Sequence, residues 1–269
     1  MRVMITGAAG QIGRTLRAGF AGVYEHLTLL DIAPQEPAGP GETCITADIG
    51  DIAAMTDAMH GIDCVVHLAG MPIEPAENAW SQVLSGNIVG SYNVFEAARQ
   101  TGVKRMVYAS SHHAIGFYRR EKTIPASVAP RPDSYYGVSK VFSEGLGRLY
   151  ADKFGISVAS LRIGAFRPKP ADIRHLSVWL SPRDVVQLVR RCIDAPKYHY
   201  CVVYGISNNT RAYWDNSEAA FLGYKPEDNA EDYAAEILAS GEPEKEVAKP
   251  FHGGWYCAMD FASDVADVD

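Results

Sequence analysis

A glycine-rich turn close to the start of the chain constrains its fold more than any other feature. Gly7, Gly10 and Gly13 follow an apolar run at residues 3–5 and precede a helix-like stretch at residues 14–20. Glycines at this spacing, between a strand and a helix, are typical of turns that let the backbone approach a dinucleotide pyrophosphate. The N–H groups at the start of the helix would bind the phosphates. The alternative is a glycine-rich turn that binds no ligand.

Two aspartates at predicted strand ends favour NAD as the ligand of this turn. Asp31 ends the strand predicted at residues 27–31, about 20 residues after the glycine turn, where dinucleotide-binding folds carry an acidic residue. Its carboxylate would bind both ribose hydroxyls and repel a 2′-phosphate, and no Arg or Lys follows within several residues to offset its charge. Asp48 would meet the adenine amino group, with Ile49 against the ring. The alternative, for Asp31 taken alone, is an acidic residue that only ends a strand and binds no ligand.

Predicted strands and helices alternate along the chain. This order predicts an α/β fold, a Rossmann-type doubly wound parallel sheet with a small C-terminal substrate-binding part. Residues 1–165 would form the NAD-binding core with the catalytic residues. Residues 166–269 would supply substrate-binding loops, the last strand and C-terminal helices within the same structural unit. Further strands are predicted at residues 43–46, 63–67, 104–111, 156–163 and 201–204, and further helices at residues 51–60, 81–101, 134–154 and 182–195.

A tyrosine and a lysine four residues apart are the strongest candidates for catalysis. Tyr136 and Lys140 would lie on one face of the helix predicted at residues 134–154. A phenol has a pKa of about 10 and is a poor base at neutral pH. An ammonium beside it stabilises the phenolate and lowers that pKa, so the pair is a plausible general base toward an alcohol. Tyr135 has Ser139 at the same spacing, so only Tyr136 has the lysine partner.

Two other polar positions have less certain roles. His67 lies inside an apolar run, and we interpret it as a core histidine rather than a ligand. Asn87, on the next predicted helix, would either orient the lysine through water or only pack between helices. The turn between them ends in Ala69 and Gly70, which are small enough for the cofactor's ribose and phosphates to pass close.

Polar residues also gather where the fifth predicted strand ends. A hydroxyl such as that of Ser111 can hold a substrate hydroxyl against the base, and loops at this edge of a sheet commonly carry function. His112 and His113 follow. We predict no metal, because adjacent side chains are expected to diverge and no third ligand is spaced nearby.

The stretch at residues 165–180 contains a group of cationic residues at the same predicted edge of the sheet. It is a candidate anion site, since arginine binds paired oxygens well. The alternative is a solvated basic loop. The residues concerned are Arg167, Lys169, Arg174 and His175.

Composition excludes several classes of function. A net charge of −7 over 269 residues argues against nucleic acid or an anionic membrane as a partner. No apolar run is long enough to span a membrane, and the first strand begins too early to leave room for a signal peptide. The cysteines form no Cys-x-x-Cys pair, so we expect reduced thiols in a cytoplasmic protein. They are Cys44, Cys64, Cys192, Cys201 and Cys257.

In order, the glycine turn, Asp31, Asp48, the turn at residues 67–70, Ser111 and the Tyr136/Lys140 pair resemble those of extended short-chain dehydrogenases/reductases. The resemblance covers roughly residues 1–165 and implies a Ser/Tyr/Lys catalytic set. The implied NAD-contacting residues are Gly7, Gly10, Gln11, Ile12, Gly13, Asp31, Asp48, Ile49, Leu68, Ala69, Gly70, Asn87, Tyr136, Lys140 and Ile163.

Within that family, most of the chain is similar to uronate dehydrogenases. Matching stretches include residues 110–118, 131–140, 162–164, 203–209 and 214–216. The resemblance implies oxidation of C1 of a hexuronic acid by NAD to an aldarolactone, in a homo-oligomer. It also implies that Arg174 grips the substrate carboxylate and that His113 contacts the substrate.

Three residues differ from the uronate dehydrogenase pattern. That pattern has Asn where this chain has His112, Ser where it has Ala165, and a small serine where it has Pro72. These changes leave the catalytic chemistry intact, but they leave open which anionic group the sugar carries. Arg119 and Arg167 are additional cations that would suit the phosphate of a hexose 6-phosphate or the sulfonate of a sulfosugar.

We therefore predict an NAD-dependent oxidoreductase that converts the C1 hydroxyl of an aldohexose with an anionic C6 group to the lactone. The predicted substrate-binding residues are Ser111, His112, His113, Ala165 and Arg174. Two other classes remain open. One is a nucleotide-sugar epimerase that uses the same Ser/Tyr/Lys set and retains NAD, although the C-terminal third is short for one. The other is a non-catalytic NAD-sensing regulator.

Overall fold

The computed structural model describes residues 1–74, 77–240 and 244–268. Residues 75–76, in the predicted loop after Gly70, lie outside this description, as do residues 241–243 and 269 of the predicted tail. The strands are β1 (Arg2–Thr6), β2 (His26–Asp31), β3 (Glu42–Thr46), β4 (Cys64–His67), β5 (Arg105–Ser111), β6 (Ile124–Pro125), β7 (Ser157–Ile163), β8 (Ala165–Phe166), β9 (Trp179–Leu180), β10 (Tyr200–Gly205) and β11 (Trp214–Asp215).

In the described part of the chain, seven of these strands form one parallel sheet in the order β10-β7-β5-β4-β1-β2-β3. Thr6 at the end of β1 pairs with Leu30 on one side and with His67 on the other. The strand order reverses between β1 and β4, which is where ligands bind in open α/β sheets. The predicted doubly wound parallel sheet is therefore confirmed, and β10 from the C-terminal third is one of its two edge strands.

Helices cover both faces of the sheet, so its strands are apolar on both sides. Val3, Met4 and Ile5, for example, are fully buried. The helices are α1 (Gln11–Phe20), α2 (Ile52–Ala58), α3 (Ala79–Val83), α4 (Gly90–Thr101), α5 (Tyr135–Phe154), α6 (His175–Val178), α7 (Pro182–Asp194) and α8 (Ala234–Ser240), with 3-10 turns at His112–Ile115, Ser217–Leu222, Ala230–Tyr233, Gly254–Ala258 and Val265–Asp267.

The helix predicted at residues 81–101 differs from a regular α-helix. It begins at α3, passes through a π-helical segment at Leu84–Val89 and continues as α4. Such segments often occur at functional sites. Here the π-helical segment carries Asn87, whose side chain bonds the loop that follows β4.

The C-terminal segment, residues 244–268, packs on the loop that follows β5 in the same chain. The N–H of Gly253 donates to the carbonyl of Gly116 at 2.8 Å. Arg119 donates to the carbonyls of Val265 and Val268 at 2.6–3.0 Å. The prediction that Arg119 is an additional cation for the substrate is therefore wrong, because its guanidinium holds the C-terminal segment. Among the described residues, no helix is both long and apolar enough to cross a membrane.

Candidate active site

The glycine turn between β1 and α1 is shaped for close approach of a ligand. Gly7 has a φ of 75°, and a Cβ there would lie 2.7 Å from the N of Ala69. A Cβ on Gly13 would overlap the carbonyl of Gly7, so helix α1 can start this close to the turn only with glycine there. Helix α1 begins after Gly10, with the backbone of Gln11 and Ile12 in its first turn. This arrangement fits a pyrophosphate bound by backbone N–H groups.

Asp31 lies beside this turn and organises it. Its Oδ2 accepts from the N–H of Ala9 at 2.8 Å, and its Oδ1 accepts from the N–H of Ala33 at 2.9 Å. Each oxygen keeps a further lone pair that a ribose hydroxyl can use. Arg17 on α1 is paired with Glu42 at 2.6 Å, so its charge is already balanced by a carboxylate. These contacts favour NAD.

The predicted adenine contacts lie at the end of β3. Asp48 is exposed and accepts from the N–H of Gly50 at 2.8 Å. Ile49 is buried, and its Cδ1 lies so close to Gly90 that a side chain there would overlap it. Most of Ile49 is thus used in packing against α4, a role that its sequence position did not indicate.

The turn after β4 lies close in space to the glycine turn. The N–H of Leu68 donates to the carbonyl of Thr6 at 3.1 Å. His67 is fully buried between the hydroxyls of Thr6 and Ser91, at 2.8 and 3.2 Å. Burial lowers the pKa of His67 to about 3, so it is a neutral core histidine, as predicted.

Asn87 joins this turn to the catalytic helix. Its Oδ1 accepts from the N–H of Met71 at 2.6 Å, and its Nδ2 donates to Ser139 Oγ at 3.1 Å. Ser139 lies beside Lys140 on α5. The packing role is therefore present in the structure, and the water-mediated role toward Lys140 stays a prediction.

Tyr136 and Lys140 both lie in the first two turns of α5 and both are buried. The Lys140 Nζ donates to the carbonyl of Ala109 at 2.9 Å and lies 5.3 Å from the centre of the Tyr136 ring. Burial lowers the pKa of Lys140 to about 8. Burial also raises the pKa of Tyr136, and a hydrogen bond with Ser111 opposes that rise. Ser111 thus opposes the effect of burial on the phenol, and the lowering of the Tyr136 pKa by Lys140 stays a prediction.

The two histidines after β5 do not diverge. Their rings are 4.0 Å apart, because the chain turns at Ser111 into a 3-10 turn and no longer alternates as a strand does. His113 Nδ1 donates to Asp133 Oδ2 at 2.7 Å. His112 Nδ1 donates to the carbonyl of Ile163 at 3.0 Å. Within the described ranges, no three His, Cys, Asp or Glu side chains are arranged to hold a metal ion.

The cationic stretch after β8 divides into an outer and an inner part. Arg167 and Lys169 are exposed. His175 is buried and accepts from the N–H of Ala171 at 3.0 Å, which makes it part of the loop's own structure. Arg174 is half-buried, and its Nη1 donates to His112 Nε2 at 3.1 Å. Of these four described residues, Arg174 is the one in contact with another predicted site residue. The predicted site residue Ala165 is half-buried in β8 and pairs with Trp179.

Tyr256 also belongs to the site, although no sequence pattern indicated it. Its ring lies 4.0 Å from that of His113 and 6.3 Å from that of Tyr136. Its hydroxyl accepts from the N–H of Glu74 at 3.1 Å. The Glu74 carboxylate in turn accepts from the N–H of Tyr136 at 2.8 Å. The C-terminal segment thus closes one side of the site.

The parallel sheet, the glycine turn and the buried tyrosine and lysine beside it define a dinucleotide-dependent enzyme of the short-chain dehydrogenase/reductase class. The chain belongs to the NAD dependent epimerase/dehydratase family, which matches residues 3–172.

Within this family, the chain is similar to several sugar dehydrogenases. A uronate dehydrogenase from Pseudomonas putida is 44% identical, covering 90% of each chain. A crystal structure of a mutant uronate dehydrogenase from Agrobacterium tumefaciens, complexed with NAD, superimposes with a TM-score of 0.90 at 42% identity, covering 96% of this chain and 97% of that one. An NAD-dependent glucose-6-phosphate dehydrogenase from Haloferax volcanii is 38% identical, covering 90% of this chain and 97% of that protein.

Proposed function

We propose that this protein is an NAD-dependent dehydrogenase that oxidises the C1 hydroxyl of a hexuronate, such as glucuronate or galacturonate, to the lactone. The similarity to uronate dehydrogenases extends over nearly the whole of both chains, including the C-terminal third that bears the substrate-binding loops. The cofactor turn, with Asp31 beside it, supports NAD as the oxidant.

The observation that carries the substrate proposal is the unbalanced charge of Arg174. Two other buried or half-buried arginines have acidic partners: Arg120 pairs with Glu244 at 2.6 Å, and Arg162 pairs with Glu144 at 2.8 Å. Arg105 and Arg119 instead donate to backbone carbonyls. Among the residues that the structure describes, no carboxylate lies within ion-pair distance of Arg174. A partly desolvated guanidinium without a carboxylate partner, in contact with His112 directly after Ser111, favours an anionic group on the substrate.

In the mechanism that we propose, the sugar's C1 hydroxyl lies against Tyr136 and Ser111. Tyr136 removes the hydroxyl proton, and Ser111 hydrogen-bonds the reacting oxygen as its charge develops. Lys140 holds the nicotinamide ribose and favours the phenolate. NAD held at the glycine turn would supply the acceptor for the hydride that leaves C1. Arg174 and His113 hold the far end of the sugar, which orients C1 for transfer.

Replacing Arg174 with alanine tests this proposal. We expect the KM for the anionic sugar to rise by about 10- to 100-fold, because a charge-assisted hydrogen bond contributes roughly 1.5–3 kcal/mol. The KM for its neutral counterpart, glucose, should change little. Steady-state kinetics with both sugars give the comparison. Arg167→Ala, an exposed cation of the same loop, is the matched control, and equal losses for both sugars in Arg174→Ala would refute the anion site.

A second candidate is the same C1 oxidation of glucose 6-phosphate. The similarity to an NAD-dependent glucose-6-phosphate dehydrogenase favours it, as do the changed positions His112, Ala165 and Pro72. A sulfosugar such as sulfoquinovose carries a similar anion and is the third member of this set. In each case the chemistry at C1 and the role of Arg174 are the same.

We further propose that the protein is a cytoplasmic homo-oligomer. Its five cysteines are free thiols, which suits a reducing compartment. Apolar side chains are exposed on neighbouring helices and would suit a contact between copies. They include Trp80, Leu84 and Tyr92 from residues 79–101, and Tyr135, Val138, Phe142 and Leu149 from α5.

A further inference from the structure

His112 differs from a residue that binds the sugar directly, because its polar atoms are already bonded within the protein. Its ring is buried, with 4% of the residue exposed. One ring nitrogen bonds the carbonyl of Ile163 at the end of β7, and the other meets the guanidinium of Arg174. Both polar atoms of the imidazole are thus used within the protein.

These partners fix the protonation of the ring. A carbonyl can only accept, so Nδ1 carries a proton toward Ile163. A guanidinium can only donate, so Nε2 is the acceptor for Arg174 Nη1. The titratable and charged groups that face His112 in the described part of the chain include His113 from the same turn, Arg174 from the start of α6 and His252 from the C-terminal segment. Burial and these neighbours hold the pKa of His112 well below its usual value, so the ring stays neutral at physiological pH.

The same hydrogen bond sets the direction of Arg174. Its Nη1 lies between His112 Nε2 at 3.1 Å and the carbonyl of His252 at 3.5 Å. Its aliphatic part packs against Gly254, where any side chain would overlap the Cδ and Nε atoms. Within the described residues, Nε and Nη2 make no hydrogen bonds. Arg174 is therefore held at one nitrogen and keeps donors for a ligand.

The kind of group that accepts from Arg174 determines whether the guanidinium keeps its positive charge for the substrate. A carboxylate in place of His112 would orient the guanidinium equally well but would cancel its charge. A neutral imidazole orients it and leaves the positive charge for the substrate. An asparagine at this position would reach the carbonyl of Ile163, since its amide nitrogen occupies about the place of Nδ1, but it is too short to reach Arg174.

We propose that His112 is a positioning residue that holds Arg174 toward the anionic group of the substrate without neutralising it, and so sets the preference for anionic over neutral sugars. This inference rests on the proposed function, in which Arg174 binds that anion.

Two substitutions separate this role from a direct contact with the sugar. His112→Asn keeps the donor toward Ile163 and removes the acceptor for Arg174. It should raise the KM for glucuronate about tenfold relative to the KM for glucose, with a smaller change in kcat. His112→Gln places an amide oxygen near the position of Nε2 and should recover most of that loss. The Asn substitution should have no further effect on the KM ratio in an Arg174→Ala background. An unchanged ratio in His112→Asn, or the same effect with and without Arg174, would overturn the proposal.

A spectroscopic measurement gives a readout that does not depend on turnover. In ¹⁵N-labelled protein, long-range ¹H–¹⁵N correlation should show the His112 ring, assigned by its loss in His112→Asn, as the neutral Nδ1–H tautomer at neutral pH. Arg174→Ala should shift its Nε2 resonance. An Nε2–H tautomer, or titration near pH 6.5, would contradict the contact. If no sugar is oxidised by the wild-type protein, the proposed function fails, while this spectrum still decides whether His112 holds Arg174.

Discussion

Tyr136→Phe is expected to lower kcat by about a thousandfold while NAD still binds. Phenylalanine keeps the ring in its buried place and removes only the oxygen that takes the proton. General base catalysis contributes roughly 10²- to 10⁴-fold, and here the base is also the group that aligns the C1 hydroxyl. The loss should therefore lie in kcat, whereas NAD affinity, which we assign to the glycine turn and Asp31, should be kept.

The measurement is NADH formation with the anionic sugar, together with calorimetric titration of NAD. Tyr135→Phe is the matched control, because Tyr135 is the preceding residue of the same helix and is 52% exposed. Retained turnover in Tyr136→Phe would exclude this phenol as the base. Loss of NAD binding in the same variant would mean that the substitution disturbs the cofactor site instead.

Glu144→Leu is expected to produce the largest loss of stability. Both oxygens of Glu144 accept from Arg162 at 2.8–2.9 Å, and Oε1 also accepts from Ser110 Oγ at 2.6 Å. The two charged side chains are nearly fully buried. Removing one partner leaves a buried guanidinium uncompensated, which costs about 3–5 kcal/mol. For a chain of this size, that corresponds to a fall in Tm of roughly 10 °C.

Thermal and urea denaturation would measure this loss. Arg148→Ala is the control, because Arg148 and Asp152 form an exposed ion pair one turn further along α5, with side chains 57% and 49% exposed. Exposed pairs contribute about 0–1 kcal/mol, so the control should change little. Similar free energies of unfolding for both variants would show that the buried pair does not hold β5, β7 and α5 together.

The parts of the fold that depend on local backbone requirements, such as turn glycines and helix ends, are predictable from the sequence. The glycine turn needs glycine for local reasons: Gly7 has a φ of 75°, and a side chain at Gly13 would overlap the backbone of the same turn. Helix α5 was predicted closely because Ser134 caps its start and Gly155, with a φ of 71°, ends it. The family, the parallel sheet and the class of NAD-dependent dehydrogenase are confirmed by the comparisons.

Features that depend on contacts between distant segments were not predictable in this way. Tyr256 reaches the site only because the C-terminal segment folds back on the loop after β5, and nothing in its neighbourhood repeats with a helical or strand period. The close approach of the His112 and His113 rings depends on a 3-10 turn that propensity does not reveal. The roles assigned to individual site residues stay predictions until variants are measured.

The cations show this limit most clearly. From the sequence, the resemblance gives Arg174 the role of binding the anion, and Arg119 and Arg167 are additional candidates. In the structure, one holds backbone carbonyls of the C-terminal segment, one faces solvent and one lies against His112. A sequence shows where charges occur along the chain, but their partners are set by the fold.

The most direct test of the account is NADH formation at 340 nm, using purified protein, NAD and a panel of glucuronate, galacturonate, glucose 6-phosphate, sulfoquinovose and glucose. The account predicts steady NADH accumulation with at least one anionic sugar, and far less with glucose at the same concentration. Turnover with the uronates alone would mean that His112 and Ala165 are compatible with a uronate site. No net NADH with any anionic sugar, or equal rates with glucose, would contradict the account.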